Sequence, residues 1–189
     1  MKRSILLIFT FVIISSLTVR ADSPLTSTPF HEKYTDIDIV LKAEQTGVMN
    51  QEFADYLHDR SNPIDVKAAL INALGWSLDG KSNAEIYNTL IHKRQMTEED
   101  IFKINANELF VIGYLMALDN YFDVSKAILF LKQARIKNSG SYTYSIIEAL
   151  AKAQKAMEKD FCKAWKYTDK VFSNDDLEVD MREDARNII

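Results

Sequence analysis

The sequence predicts an all-α protein of about eight or nine antiparallel helices. Only five glycines and three prolines occur in 189 residues, too few for the many tight turns of a β-sandwich or barrel. No segment alternates apolar and polar residues over a useful length, whereas apolar residues recur at helical spacing from Thr35 onward. A series of helix start and stop signals then divides the chain into consecutive helices.

The first three helices are predicted from their ends. A short helix closes near Gly47, and Asn50 can cap the next one. Asn62 stands at an N-cap position, with Pro63 at the first helical position and Asp65 in the first turn. Asn accepts hydrogen bonds from free backbone N–H groups, Pro loses nothing at that position, and Asp favours the positive end of the helix dipole.

Two capping boxes predict the fourth and fifth helices. Ser82 with Glu85 opens the fourth helix, and Thr97 with Asp100 opens the fifth. The fifth helix contains a ten-residue run without a charge, from 109 to 118. Such a run is too short to span a membrane, so we expect a core helix that is surrounded on several sides.

A glycine interrupts the fifth helix. Gly113 costs about 1 kcal/mol relative to Ala in helix propensity. The expected compensation is the close approach of a neighbouring helix.

The remaining helices are predicted from start and stop residues of the same kinds. Asp123 can start a sixth helix, and Asn138-Ser139-Gly140 is a stop and turn before the seventh. Apolar residues from Phe161 to Phe172 mark an eighth helix. A ninth is predicted to begin within 173–176 and to carry Val179 as its main apolar residue.

The N-terminus has the layout of a secretory signal peptide. Lys2 and Arg3 precede an apolar stretch from 5 to 19, and cleavage is expected after Ala21. An uncleaved N-terminal anchor is the alternative. We therefore predict a signal peptide at 1–21, a flexible leader at 22–34, a single helical domain at 35–189, and a periplasmic or secreted location.

Charge and cysteine content exclude several classes of function. The formal charge of −4 becomes −7 when Lys2, Arg3 and Arg20 are removed with the signal. A net acidic protein is a poor candidate for binding nucleic acid or anionic membranes, and we expect no stable membrane insertion after cleavage. The single cysteine, Cys162, cannot form an internal disulfide and is predicted to be a packed, small apolar residue.

Two segments resemble α-helical repeats. The segment 63–75 carries an acidic residue, a valine and a lysine, then alanines and Ala-Leu-Gly, and resembles the second helix of a HEAT repeat. Phe122 and Phe161 are 39 positions apart, near the period of tetratricopeptide repeats. The resemblance implies a short α-solenoid whose stacked helices bind a protein or peptide, and it implies no catalytic residue.

The residues with catalytic potential are scattered along the sequence. His58-Asp59 resembles the dipeptide of metal-dependent phosphohydrolases but lies at a helix end, so we interpret it as a solvated helix terminus. His92 lies beside Lys93 near another helix end, where a cation complements the dipole. We find no nucleophile motif or phosphate loop, and we predict no catalytic residue, no metal site and no cofactor.

Aromatic residues are the candidate binding residues. Tyr142, Tyr144, Trp165 and Tyr167 cluster in the last third of the chain, and Trp76 follows a helix stop. Tyr and Trp dominate binding hot spots, although the four clustered residues could instead fill the space between the seventh and eighth helices. We expect a module that binds an envelope or secreted protein. The alternatives are an enzyme with a carboxylate-based site between helices and a purely structural envelope protein.

Overall fold

A computed structural model describes residues 23–157 and 159–189, so the predicted signal peptide lies outside the described residues. The described part is all-helical, without a β-strand; a single isolated bridge joins Ser141 and Glu178. The α-helices are α1 Asp38–Thr46, α2 Gln51–His58, α3 Ile64–Leu74, α4 Asn83–His92, α5 Ala106–Asp119, α6 Ser125–Lys137, α7 Tyr142–Met157, α8 Phe161–Phe172 and α9 Glu183–Arg186. Short 3₁₀ helices cover Phe30–Tyr34 and Glu98–Phe102.

The predicted core helix is confirmed as α5. It contacts α2, α3, α4, α6 and α7, and all but one of its residues from 108 to 119 are buried. A helix that is apolar all round must be covered on all sides. These five helices therefore surround α5.

At Gly113, α6 packs directly against the backbone of α5. A Cβ atom at this position would lie 2.9 Å from Leu131 Cγ and 3.0 Å from Phe130 Cβ. The expected close approach of a neighbouring helix is thus confirmed, and it explains why a residue with poor helix propensity stands in the centre of the core.

Consecutive helices form the most extensive contacts. α5 packs on α6, and α7 packs on α8. In addition, α1 packs on α3, although α2 lies between them in the sequence. The small residues Ala149 and Ala153 are buried on α7, which allows its neighbours to approach closely. The C-terminal α9 returns to the start of the chain and packs on the 3₁₀ helix Phe30–Tyr34.

The leader differs from the prediction of a flexible segment. Leu25, Phe30 and Tyr34 are buried in the core, and the side chain of Asn72 donates a 3.2 Å hydrogen bond to the carbonyl of Thr28. The physical reason is that these apolar residues have partners far along the chain. A local composition of Ser, Thr and Pro does not reveal such partners.

Arg182 ties the C-terminal segment to the leader. Its Nη1 donates to Asp36 at 2.6 Å, and its guanidinium lies 4.5 Å from the centre of the Tyr34 ring. The backbone N–H of Arg182 also donates to the Tyr34 hydroxyl at 3.1 Å. The two ends of the described chain therefore meet.

The capping residues of several helices differ from those that the sequence predicts. Asn50 caps α2 as predicted, accepting from the Phe53 N–H. Asn62 instead donates to the Tyr56 carbonyl, and the Thr97 capping box opens only the 3₁₀ helix, while Asn105 caps α5. The Ser82 side chain accepts no capping hydrogen bond.

Two further predictions about the C-terminal part are corrected. Cys162 is exposed, because it lies on the outer side of α8, which packs through Ala164 and Thr168. No helix begins within 173–176; the last helix is the short Glu183–Arg186, and Glu178 instead exchanges backbone hydrogen bonds with the turn before α7.

The Gly113 contact predicts a stability effect. Gly113→Ala should lower the free energy of unfolding by up to about 2 kcal/mol, because overpacking costs about 1 to 3 kcal/mol and the gain in helix propensity returns only about 1 kcal/mol. Urea denaturation measures the change.

Gly140→Ala is the matched control. A Cβ atom there meets nothing within 4 Å, so its effect should stay within about 0.5 kcal/mol. A Gly113→Ala variant that is more stable than the unmodified protein by the full helix-propensity gain of about 1 kcal/mol would contradict the close approach.

Candidate functional site

The strongest candidate for a binding surface is a groove beside α8. We call it the α8 groove; it has a volume of about 350 Å³ and lies between the leader, α7, α8 and the C-terminal residue. Its walls are mainly apolar, and the residues that form them include Pro24, Leu150, Ala153, Met157, Ala164 and Ile189. A concave apolar surface of this size accommodates a few side chains of a ligand or partner.

Two aromatic side chains stand exposed at the α8 groove. Phe161 is 71% exposed and Trp165 is 69% exposed, and both line the groove. They are four residues apart, so they lie on the same side of the helix. Of the predicted binding residues, Trp165 is therefore the one that contributes to a concave apolar surface.

The other predicted residues of this region lie elsewhere. Tyr142 and Tyr144 are buried, with the Tyr144 ring 4.8 Å from that of Phe110, so they belong to the core and not to an exposed surface. Tyr167 is half-buried and faces a different cleft, on the opposite side of α8. The four residues that cluster in sequence thus separate into three environments, because helical periodicity points them in different directions.

Trp76 forms part of a second, smaller aromatic patch. It is 40% exposed, and its ring meets that of Tyr121 edge-on at 5.1 Å. The Tyr121 ring in turn lies 4.2 Å from that of exposed Phe122, and exposed Leu78 lines one cleft with these two residues. This Trp76 patch is separate from the α8 groove, since the two share no lining residue.

The structure also brings together a polar cluster that sequence analysis missed. Glu108, in the first turn of α5, is buried. His58 Nδ1 lies 2.8 Å from Glu108 Oε1, and His92 Nε2 lies 2.9 Å from Glu108 Oε2. The Tyr87 hydroxyl donates to Oε2 at 2.9 Å.

The contacts of the cluster indicate which imidazole nitrogens donate hydrogen bonds. A carboxylate only accepts hydrogen bonds, so a ring nitrogen that bonds to the Glu108 carboxylate does so through its N–H group. In the neutral form of His58, the remaining nitrogen, Nε2, is an acceptor. The His58 side chain is about half exposed, so this nitrogen belongs to an imidazole that solvent reaches.

Lys67 completes the cluster on the side of α3. Its side chain is fully buried, and its Nζ donates to Asn107 Oδ1 at 2.5 Å. Burial lowers the pKa of Lys67 to about 8, against the opposing effect of the Glu108 charge. Burial and the neighbouring Glu108 also raise the pKa of Tyr87, so its hydroxyl remains protonated and donates to Glu108.

The members of the cluster carry only a weak sequence signal. His58, His92 and Glu108 are 34 and 16 positions apart and meet because the ends of α2 and α4 converge on the start of α5. His92 lies in the last turn of α4, at the helix end where it was predicted, but only 17% of its side chain is exposed, because its ring faces Glu108. The one signal of this cluster in the sequence is an acid, Glu108, immediately before the uncharged run of α5.

Residues 23–157 and 159–189 contain no group of three His, Cys, Asp or Glu side chains placed to hold a metal ion. In the same part of the chain, no helix has the length and apolar character needed to cross a membrane.

Comparison of the chain with protein-family models, with curated proteins and with solved structures finds no match.

The buried lysine predicts a pH dependence of stability. The pKa of Lys67 is about 8 in the folded state and about 10.4 in the unfolded chain. Between these values the unfolded state binds more protons, so the contribution of Lys67 to the free energy of unfolding rises with pH. In Lys67→Met this rise should be absent.

The measurement is urea denaturation at several pH values from 7.5 to 10, with the unmodified protein and the variant compared at each. Tyrosine ionisation in the unfolded chain affects both proteins alike and cancels in the difference. A difference that does not vary with pH would contradict the lowered pKa. Lys103→Met, at an exposed lysine, serves as the control.

Proposed function

We propose that this chain is an exported helical-repeat protein that binds another protein or a peptide in the cell envelope or outside the cell. The observation that carries the proposal is the pair of exposed aromatic side chains, Phe161 and Trp165, at the apolar α8 groove. Large aromatic side chains beside an apolar pocket are the usual centres of protein interfaces.

Contacts between consecutive helices support this proposal. The pairs α5–α6 and α7–α8 pack most extensively, as in a short α-solenoid of two-helix repeats. We propose that the helices stack in this way, with the contact between Arg182 and Asp36 holding the two ends together. The α8 groove then lies where the last full-length helix of the stack meets the leader.

The character of the α8 groove indicates which part of a partner it accepts. Its walls are largely apolar, with Ser27 and Thr168 among the few polar contributors. Aliphatic or aromatic side chains of a partner would lose water on entering the groove and contact Trp165. We therefore expect peptides with two or three apolar residues at close spacing to bind.

Trp165→Ala is the direct test of the groove. Peptides are selected from a random library on the protein purified from the envelope or medium of expressing cells, and their affinities are measured by fluorescence anisotropy. The substitution should weaken binding by about 30-fold, as expected of a hot-spot residue worth about 2 kcal/mol. Thermal denaturation should show a nearly unchanged melting temperature, because Trp165 is largely exposed.

Trp76→Ala is the matched control, because it removes the same side chain from the separate Trp76 patch. It should leave the affinity of the selected peptides unchanged. Peptides that bind the Trp165→Ala variant as tightly as the unmodified protein would show that the α8 groove is not the binding surface.

A second candidate function, an enzyme, is favoured by one observation, the Glu108 cluster. A buried carboxylate that accepts from one imidazole nitrogen makes the other nitrogen a general base, as in hydrolytic enzymes. His58 would be that base, activating water against a small carbonyl substrate. The cavities beside α8 and near Trp76 are lined by other residues, so this candidate ranks second.

Ester hydrolysis distinguishes this second candidate. If His58 is an activated base, turnover of p-nitrophenyl acetate should fall at least tenfold in His58→Gln and stay unchanged in His31→Gln, whose ring contacts Asn72 instead. Equal rates in the two variants would leave only the binding function.

A further inference from the structure

Charge is distributed unevenly along this acidic protein. The whole chain carries 23 lysines and arginines against 27 acids, but the segment from 126 to 170 carries ten basic residues and four acidic ones. This segment forms α6, α7 and α8. An excess of one charge confined to adjoining helices creates a local positive potential that the net charge conceals.

Four of these lysines line one cleft. It lies between α6, α7 and α8, on the side of α8 that carries Tyr167, and has a volume of about 460 Å³. We call it the lysine cleft; its basic residues are Lys152, Lys155, Lys159 and Lys163. Lys152 and Lys155 reach the cleft from α7, Lys159 from the α7–α8 connection and Lys163 from α8.

Among residues 23–157 and 159–189, few acids neutralise the lysine cleft. Lys152 pairs with Glu148, while Lys155 contacts the hydroxyl of Ser125 at 3.0 Å. Lys155, Lys159 and Lys163 form no ion pair with a carboxylate among residues 23–157 and 159–189. Asp160 lines the cleft, but its side chain accepts from the backbone N–H of Lys163 as the N-cap of α8.

Such an arrangement is unfavourable for the free protein. Like charges that line one cleft repel one another, and a concave surface keeps counter-ions close to several of them at once. A ligand with several negative charges would relieve this repulsion and contact three or four ammonium groups together. The positive end of the α8 dipole at the same edge adds to the attraction.

We propose that the lysine cleft binds a ligand that carries clustered phosphate groups. Lysine is a point-charge donor suited to phosphate oxygens, and the cleft has room for two or three phosphate groups. Tyr167 and the side chain of Ile128 offer a small apolar wall for the part of the ligand that carries the phosphates. The α8 groove lies on the other side of α8 and shares no lining residue with the lysine cleft.

Calorimetric titration with tripolyphosphate at low salt tests the site. The unmodified protein should bind with an affinity that falls as the salt concentration rises from about 20 to about 150 mM, because salt screens the lysines. The double variant Lys159→Gln/Lys163→Gln should bind at least tenfold more weakly. The control Lys33→Gln/Lys103→Gln removes the same charge from exposed lysines outside the cleft and should change the affinity less than threefold.

Vesicles distinguish a free phosphate ligand from a lipid headgroup. Phosphatidylcholine vesicles with and without phosphatidic acid are sedimented with the three proteins. Binding to phosphatidic acid that is lost in the cleft variant and kept in the control assigns the phosphates to a lipid, whereas binding of tripolyphosphate alone assigns them to a soluble ligand. An equal loss in both double variants, or no binding of either probe by the unmodified protein, would overturn the proposal.

Discussion

The burial of α5 is the constraint on which the rest of the structure depends. This helix has no polar side, so it must be enclosed, and the two acids at its ends are buried with it. Glu108 finds donors in His58, His92 and Tyr87. Asp119 accepts from the backbone N–H of Ala84 at 2.7 Å.

These contacts place α4 along α5. Ala84 lies at the start of α4 and His92 at its end, so the two acids hold α4 at both of its ends. This explains why Ser82 is not needed as a cap: the Asp119 carboxylate from another helix satisfies the N–H group instead. Burial raises the pKa of Asp119, which shows that enclosing this end of α5 opposes its ionisation.

Local signals were sufficient wherever a structural feature depended on neighbouring residues in the chain. The all-helical class, the cap at Asn50, the enclosed run of α5 and the close approach at Gly113 could all be predicted, because helix propensity, capping and apolar periodicity are short-range properties. The burial of the leader could not be predicted, because Tyr34 is held by Arg182 and Thr28 is held by Asn72. These are tertiary contacts, which no pattern within 22–34 contains.

The candidate sites show the same division. Trp165 is exposed beside an apolar surface, as expected for a residue on an amphipathic helix. The burial of Tyr142 and Tyr144 depends on the packing of α7, which the sequence does not show. The Glu108 cluster required three helix ends to converge. The histidines are scattered along the sequence, although two of them contact the same carboxylate in space.

Net charge was the least informative of the composition arguments, because it averages over surfaces that a partner meets separately. A ligand approaching α8 from one side meets Phe161 and Trp165, and from the other side it meets Lys159 and Lys163. Salt screens interactions beyond about 10 Å at 0.1 M, so acids on distant helices do little to weaken the local field of the lysines. An acidic protein can therefore present one basic surface and one apolar surface on the same helix, and each has to be judged by its own residues.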